Sequence, residues 1–235
     1  MLNVPVDLAS NLARVSDEIA EAAVRASRRP EEITLVGVSK THPAEQVVEA
    51  VRAGLRHVGE NRVQEAADKF PLVRQVLGND QFILHMVGHL QTNKSGAAVE
   101  LFDRIDSVDS LKLAQALSRR VPAGAEMPVL IEVYVGDDPS RPGARPSELV
   151  ELVGSILAVP RIRVEGLMSL APLGGDARSA FAQVREQKEI LSATFPAVHF
   201  GVLSMGMSDD YREAITEGST EVRIGTALFG PRNPR

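Results

Sequence analysis

The chain has 235 residues, 44% of them hydrophobic and 24% charged, with a formal net charge of -5. It contains no cysteine, which excludes disulfides, iron–sulfur clusters, thiolate zinc and cysteine nucleophiles. A pI near 5.6 argues against a protein that neutralises many nucleic-acid phosphates, and no apolar run approaches the roughly 20 residues that span a bilayer.

Residues Met1–Asp7 lack the basic start and apolar core of a secretory leader, so a cytoplasmic location is expected. Leu8, Leu12, Val15, Ile19, Ala22 and Ala23 recur at helical spacing and predict a helix from about Asp7 to Arg29, ahead of Pro30. Short β-rich runs then alternate with helical stretches. They are Ile33–Val38, His57–Gly59, Phe82–Val87, Arg104–Val108, Val129–Val135, Ile162–Met168, Phe200–Leu203 and Glu221–Ile224. Turn chemistry marks the joins. Pro43 falls just inside a helix beginning near Thr41, Gly54 ends that helix, Ser110 and Asp176 suit N-caps, and Gly218 precedes the last run.

Strands that alternate with helices form parallel sheets. Eight such units over this length predict an α/β fold: a single-domain (β/α)8 barrel, residues 1–235, with an extra N-terminal helix. An open doubly wound sheet is the competing architecture. No linker or low-complexity tract divides the chain. A closed barrel has no edge strand seeking a partner, so a monomer is expected.

Lys40 ends the apolar run Leu35–Val38 immediately before a helix, and ligands bind at the carboxyl ends of such strands. A lysine half-sunk among apolar groups is disfavoured as an ammonium, and the free amine is the nucleophile of Schiff-base chemistry. The same position suits a lysine that snorkels to the rim, and spacing alone does not decide. Near the end, Ser204–Met205–Gly206–Met207–Ser208 and Gly225–Thr226–Ala227 lead from strand to helix through small residues. Barrels often build a phosphate site from these last two loops, using backbone amides, helix N-termini and hydroxyls such as Ser204 and Thr226. Arg223 lies between Val222 and Ile224, so alternation turns it into the barrel if those two face the helices. There it serves either a structural ion pair or a ligand. Asn61, in Gly59–Glu60–Asn61–Arg62, is placed to reach the same mouth, although in isolation a helix cap is the stronger explanation. Asp209 and Asp210 read as acidic first-turn residues of a helix.

Two patterns are set aside. Gly88–His89–Leu90–Gln91–Thr92–Asn93–Lys94–Ser95 nearly matches a P-loop, but its sixth position is Asn93 rather than glycine. His85 and His89 have the spacing of a helical zinc pair, yet their surroundings read as strand, which puts the rings roughly 13 Å apart.

Taken in order, Val38–Ser39–Lys40–Thr41, Gly59–Glu60–Asn61, Gly88–Lys94, Gly166–Leu167–Met168, Leu203–Asp210 and Val222–Thr226 resemble the pyridoxal 5'-phosphate homeostasis protein family, also described as the proline synthase co-transcribed homologue family. The resemblance runs from about Asp7 to Gly230 and implies a barrel similar to the N-terminal domain of alanine racemase, with pyridoxal 5'-phosphate as cofactor. It implies Lys40 as the Schiff-base lysine, and Ser204, Gly225 and Thr226 with the amides near Met205 and Gly206 around the phosphate. It places Arg223 opposite the pyridine nitrogen and Asn61 near the ring. The family usually has Gln-Val-Asn on the fifth strand where this chain has Glu132–Val133–Tyr134, followed by an unusually acidic, proline-rich Asp137–Gly143.

Racemisation on this cofactor needs an electron sink and an acid/base group on each ring face. The resembled racemase takes its second base, a tyrosine, from an extra β domain that 235 residues cannot accommodate, and only Tyr134 and Tyr211 occur here. The expectation is therefore a carrier of the free cofactor pool, with cofactor-dependent apoenzymes as transient clients. The alternatives are an amino-acid racemase or related enzyme and, third, a cofactor-free aldolase-like Schiff-base barrel.

Overall fold

The computed structural model describes residues 7–78, 81–136, 138, 140–172 and 174–231. The expected barrel is present. The strands β1 (Thr34–Val38), β2 (His57–Glu60), β3 (Ile83–Met86), β4 (Arg104–Val108), β5 (Met127–Val133), β6 (Ile162–Ser169), β7 (Val202–Ser204) and β8 (Glu221–Ile224) pair in sequence order, and β8 closes onto β1. The pairs are parallel; Val36 sits beside His57 on one side and Arg223 on the other. The open-sheet alternative is thereby excluded. Around the strands run α1 (Leu8–Arg25), α2 (Ala44–Arg52), α3 (Val63–Leu77), α4 (Ser95–Leu101), α5 (Leu111–Ser118), α6 (Leu149–Leu157), α7 (Ala177–Thr194), α8 (Tyr211–Thr216) and α9 (Thr226–Phe229).

The helix ends follow their turn chemistry. Ser110 Oγ accepts from Leu113 N–H at 3.3 Å and Asp176 Oδ1 from Arg178 N–H at 3.1 Å. Gly54 and Gly218 adopt the left-handed φ values of 118° and 94° that only glycine takes without strain. Two ends differ from expectation. Pro43 is the N-cap of α2 rather than its first residue. Helix α1 stops at Arg25, because Ser27 turns left-handed and Arg28 N–H bonds back to Ala23 O.

The final strand is followed by α9, which is too short to cover the seam between β8 and β1. Helix α1 covers it instead, packing against α2, α8 and α9. Its stripe Leu8, Leu12, Val15, Ile19, Ala22 and Ala23 is buried, and Asn11 Nδ2 donates to Leu228 O at 3.0 Å.

The apolar core lies mainly between strands and helices. The barrel interior is mixed. Near the mouth a Cβ on Gly59 would come within 3.1 Å of Val36 and 3.3 Å of Val38 and Val87, so three valines already fill that layer. At the opposite end the inward residues are charged. Arg104 forks onto Asp106 at 2.7 and 3.0 Å and onto Glu221 at 2.7 Å. His85 bridges Asp106 (3.2 Å) and His57 (2.9 Å). Asp106 is buried, which alone would raise its pKa, yet Arg104 and His85 outweigh burial and hold it well below the carboxylate range. This end is a closed, satisfied plug.

Candidate functional site

A cavity of about 370 Å³ opens at the carboxyl ends of the strands, lined in part by Lys40, Asn61, His89, Glu132, Arg223, Gly225 and Thr226. Its size falls in the small-molecule range of roughly 300–1,000 Å³. Five of the eight residues singled out from sequence therefore share one wall: Lys40 after β1, Asn61 after β2, Arg223 on β8, and Gly225 and Thr226 beyond it.

The lysine loop is held from beneath. Ser39 N–H donates to Gly59 O at 2.9 Å, and Thr41 sits at φ 66°, a left-handed conformation that costs a threonine about 1–3 kcal/mol and persists only where its surroundings enforce it. Those surroundings are a buried ion cluster. Lys69 Nζ on α3 donates to Ser39 O at 2.8 Å, Glu60 Oε2 at 2.7 Å and Glu65 Oε1 at 3.2 Å, and Glu65 accepts Thr41 N–H. Burial pushes the Glu60 carboxyl up while Lys69 draws it down; the net shift is upward. Thr41 Oγ1 is buried without a hydrogen-bond partner.

Asn61 does not cap a helix. The cap of α3 is Arg62, and Asn61 N–H instead donates to Glu60 Oε1 at 2.9 Å. Its side chain belongs to the cavity wall. The loop beside it is set by Gly88, where a Cβ would stand 2.3 Å from Asn61 O.

Arg223 points inward, as alternation requires, and is 4% exposed. It donates to Ser204 O and Ser204 Oγ at 2.6 Å each and to Ser169 O at 2.8 Å. Burial lowers its pKa, opposed chiefly by Glu221 and Asp106. Ser204, Met205 and Gly206 lie below the wall rather than on it: Ser204 and Met205 are fully buried, and a Cβ on Gly206 would stand 2.7 Å from Tyr211 Cα. Beyond them Met207, Ser208 and Asp209 return to the cavity. Asp209 and Asp210 precede α8 rather than opening its first turn: Asp210 accepts Met207 N–H at 2.6 Å, and Asp209 lines the mouth. Gly225 has a different logic. A Cβ there would meet only Val38, whose O and Cβ stand at an ordinary 3.4 and 3.8 Å, so no neighbour within the protein demands the glycine, and the space it leaves belongs to the cavity.

The far wall, from β3 to β5, brings together His89, Asp109 and Glu132, a grouping that sequence spacing does not reveal. Glu132 is 5% exposed and its Oε2 has no hydrogen-bond partner. Burial, then the charge of Asp109, push its pKa up to about 7, with Arg223 opposing. His89 Nδ1 lies 3.5 Å from Asp109 Oδ2. The near P-loop segment folds as a 3-10 turn, Thr92–Lys94, before α4. Of the loop after β5, Asp137 and Pro139 lie outside the described residues. Neither tyrosine lines the cavity: Tyr211 donates to Glu18 of α1 at 2.8 Å, and Tyr134 packs beneath Arg145, which lies 4.6 Å over its ring.

Comparison with known proteins agrees with this geometry. Residues 11–233 match the family described as alanine racemase, N-terminal domain. The chain is 42% identical over 233 residues, 97% of each chain, to the pyridoxal phosphate homeostasis protein of Escherichia coli. Solved structures of PipY from Synechococcus elongatus superpose with TM-scores of 0.84 without PLP (36% identity, 95% of this chain and 100% of that one) and 0.79 with PLP bound (40% identity, 90% and 100%). An alanine racemase of Clostridium difficile, 15% identical, shares the fold, with a TM-score of 0.67 over 94% of this chain and 57% of its own. The chain thus belongs to the pyridoxal phosphate homeostasis protein family, built on the alanine racemase N-terminal domain.

Proposed function

We propose that this protein binds pyridoxal 5'-phosphate at the barrel mouth, holds it covalently through Lys40, and serves as a carrier in cofactor homeostasis rather than as an efficient enzyme. The observation that carries the reading is the convergence of Lys40, Asn61, Arg223, Gly225 and Thr226 on one cavity; the PLP-bound relative supports the ligand's identity. Bound, the cofactor supplies an aldehyde that a lysine amine captures reversibly.

The chain's own residues divide the remaining work. Gly225 and Thr226 present the amides and hydroxyl of a phosphate loop; α9 has four residues, so the anion rests on individual N–H groups rather than on a long helix dipole. Met205 and Gly206 form the floor of that loop. Ser204 positions Arg223 through its two 2.6 Å acceptors. A guanidinium offers only donors, so Arg223 would keep a ring nitrogen placed beside it unprotonated, which would weaken the electron sink that racemisation needs. Asn61 bounds the ring, and Glu65, Glu60 and Lys69 keep the lysine turn rigid. Neither tyrosine is among the residues that line the cavity. The described residues include no helix long and apolar enough to cross a membrane. A cytoplasmic monomer that hands cofactor to apoenzymes fits these features.

The test is the visible spectrum before and after borohydride, for wild type and Lys40→Ala, with the modified peptide mapped by mass. A yellow, reducible chromophore on the Lys40 peptide and absent from the variant is expected, with cofactor transfer to an apoenzyme and no α-proton exchange across an amino-acid panel. Wild-type protein that stays colourless with pyridoxal phosphate, while a keto-sugar phosphate is trapped on Lys40, overturns the reading in favour of the aldolase-like barrel. Rapid exchange abolished by Lys40→Ala overturns the carrier role in favour of a racemase.

A further inference from the structure

The cavity has two unlike walls. Strands β7, β8, β1 and β2 carry the lysine, the arginine and the small residues; β3, β4 and β5 carry His89, Asp109 and Glu132 at their carboxyl ends. One ligating atom from each of these three lies within 4.8 Å of those of the other two. Glu132, 5% exposed, faces the cavity with Oε2 unpartnered, and burying a carboxyl oxygen without a partner is costly. The nearest deep cation, Arg223, is committed to the oxygens of Ser204 and Ser169. Two carboxyl groups and an imidazole thus converge where one of them lacks a donor.

We propose that His89, Asp109 and Glu132 bind one divalent transition-metal ion, Zn2+ or Mn2+, on the side of the mouth opposite Lys40. One imidazole nitrogen and two carboxylate oxygens form the mixed donor set that such ions accept, and three protein ligands leave coordination positions open toward the cavity. The ion satisfies the orphaned Glu132 oxygen and neutralises two acids that repel one another. His89, the exposed member with 51% of its side chain accessible, closes the site from the solvent side. The deeper grouping of His85, Asp106 and Glu221 is different: Arg104 already sits among its carboxylates.

The proposal does not depend on the cofactor reading, since its ligands lie on the other wall. Titration of chelator-treated protein with Zn2+, followed by calorimetry, is expected to show one saturable equivalent. Affinity should fall tenfold or more in each of Glu132→Gln, Asp109→Asn and His89→Ala. Co2+ should give a visible d–d spectrum that the same substitutions abolish. Lys40→Ala should keep the metal while losing the chromophore. Absence of a saturable Zn2+ equivalent in wild type overturns the site, as does an affinity unchanged in Asp109→Asn and His89→Ala, the first nearly isosteric and the second at a half-exposed position. Far-UV circular dichroism establishes that each variant is folded.

Discussion

At the scale of single residues, the site depends on close backbone approach as much as on reactive side chains. Gly88 is the clearest case, because the atom a side chain would strike is the main-chain oxygen of Asn61, 2.3 Å away. Backbone cannot swing aside as a flexible side chain does, so Gly88→Ala must move the ends of β2 and β3 apart. The expected cost is about 1–3 kcal/mol, read as a lower urea midpoint, together with weaker retention of the yellow chromophore; an unchanged midpoint would contradict the packing described. The sequence reading reached the catalytic-looking residues but not their supports. Lys69 was readable in principle, since it interrupts the helical stripe Val63, Ala66, Phe70 and Val73 of α3. A lysine on an apolar stripe signals a buried acid nearby, but which acid depends on tertiary placement. At Asn61 only the cap alternative fails. A polar side chain just ahead of a helix looks like a cap, and only backbone geometry reveals that Arg62 holds that position.

At the scale of elements, the pattern of β-rich runs and turn residues was legible because each strand is short, buried and bounded by a glycine, proline or capping residue. Strand interiors were harder to read. In runs of three to eight residues, alternation does not say which parity faces the axis, so the charged plug of His57, His85, Arg104, Asp106 and Glu221 escaped notice. The N-terminal helix, by contrast, announced itself through six buried positions at helical spacing. Because α9 is so short, α1 acts as the eighth outer helix. Ile19 is 4% exposed within that interface. Truncating it leaves a cavity between helix and sheet, and Ile19→Ala is expected to destabilise the fold by about 2–5 kcal/mol. Urea unfolding followed by circular dichroism measures this directly; a loss below about half a kcal/mol would mean that α1 is only an appendage.

At the scale of the whole molecule, the plug sets the acid limit of stability. Burial, then the neighbouring His85, hold His57 down to about 4 against an ordinary 6.5. Between those values the unfolded chain binds a proton that the folded chain refuses. Unfolding free energy therefore rises with pH across this window, and stability is lost as pH falls from about 6.5 toward 4. Asp106, held low by Arg104 and His85 against its burial, extends the loss below pH 4. Melting temperatures measured from pH 7 to pH 4 should drop more steeply for wild type than for His57→Asn. Parallel curves would show that His57 takes up its proton as readily in the fold as in the unfolded chain.

The join between β1 and β8 also has a consequence for synthesis. Translation makes β1 the first and β8, its second neighbour, the last of the eight strands, so one margin of Thr34–Val38 waits until Glu221 has left the ribosome. At roughly 5–20 residues per second that interval is on the order of 10–40 s, during which an apolar strand offers unpaired amides and carbonyls to any nascent neighbour. Helix α1 is finished before β1 and is tethered directly to it. The helix that later seals the seam can therefore shelter this margin from the start, guarding the nascent chain until its own last strand arrives.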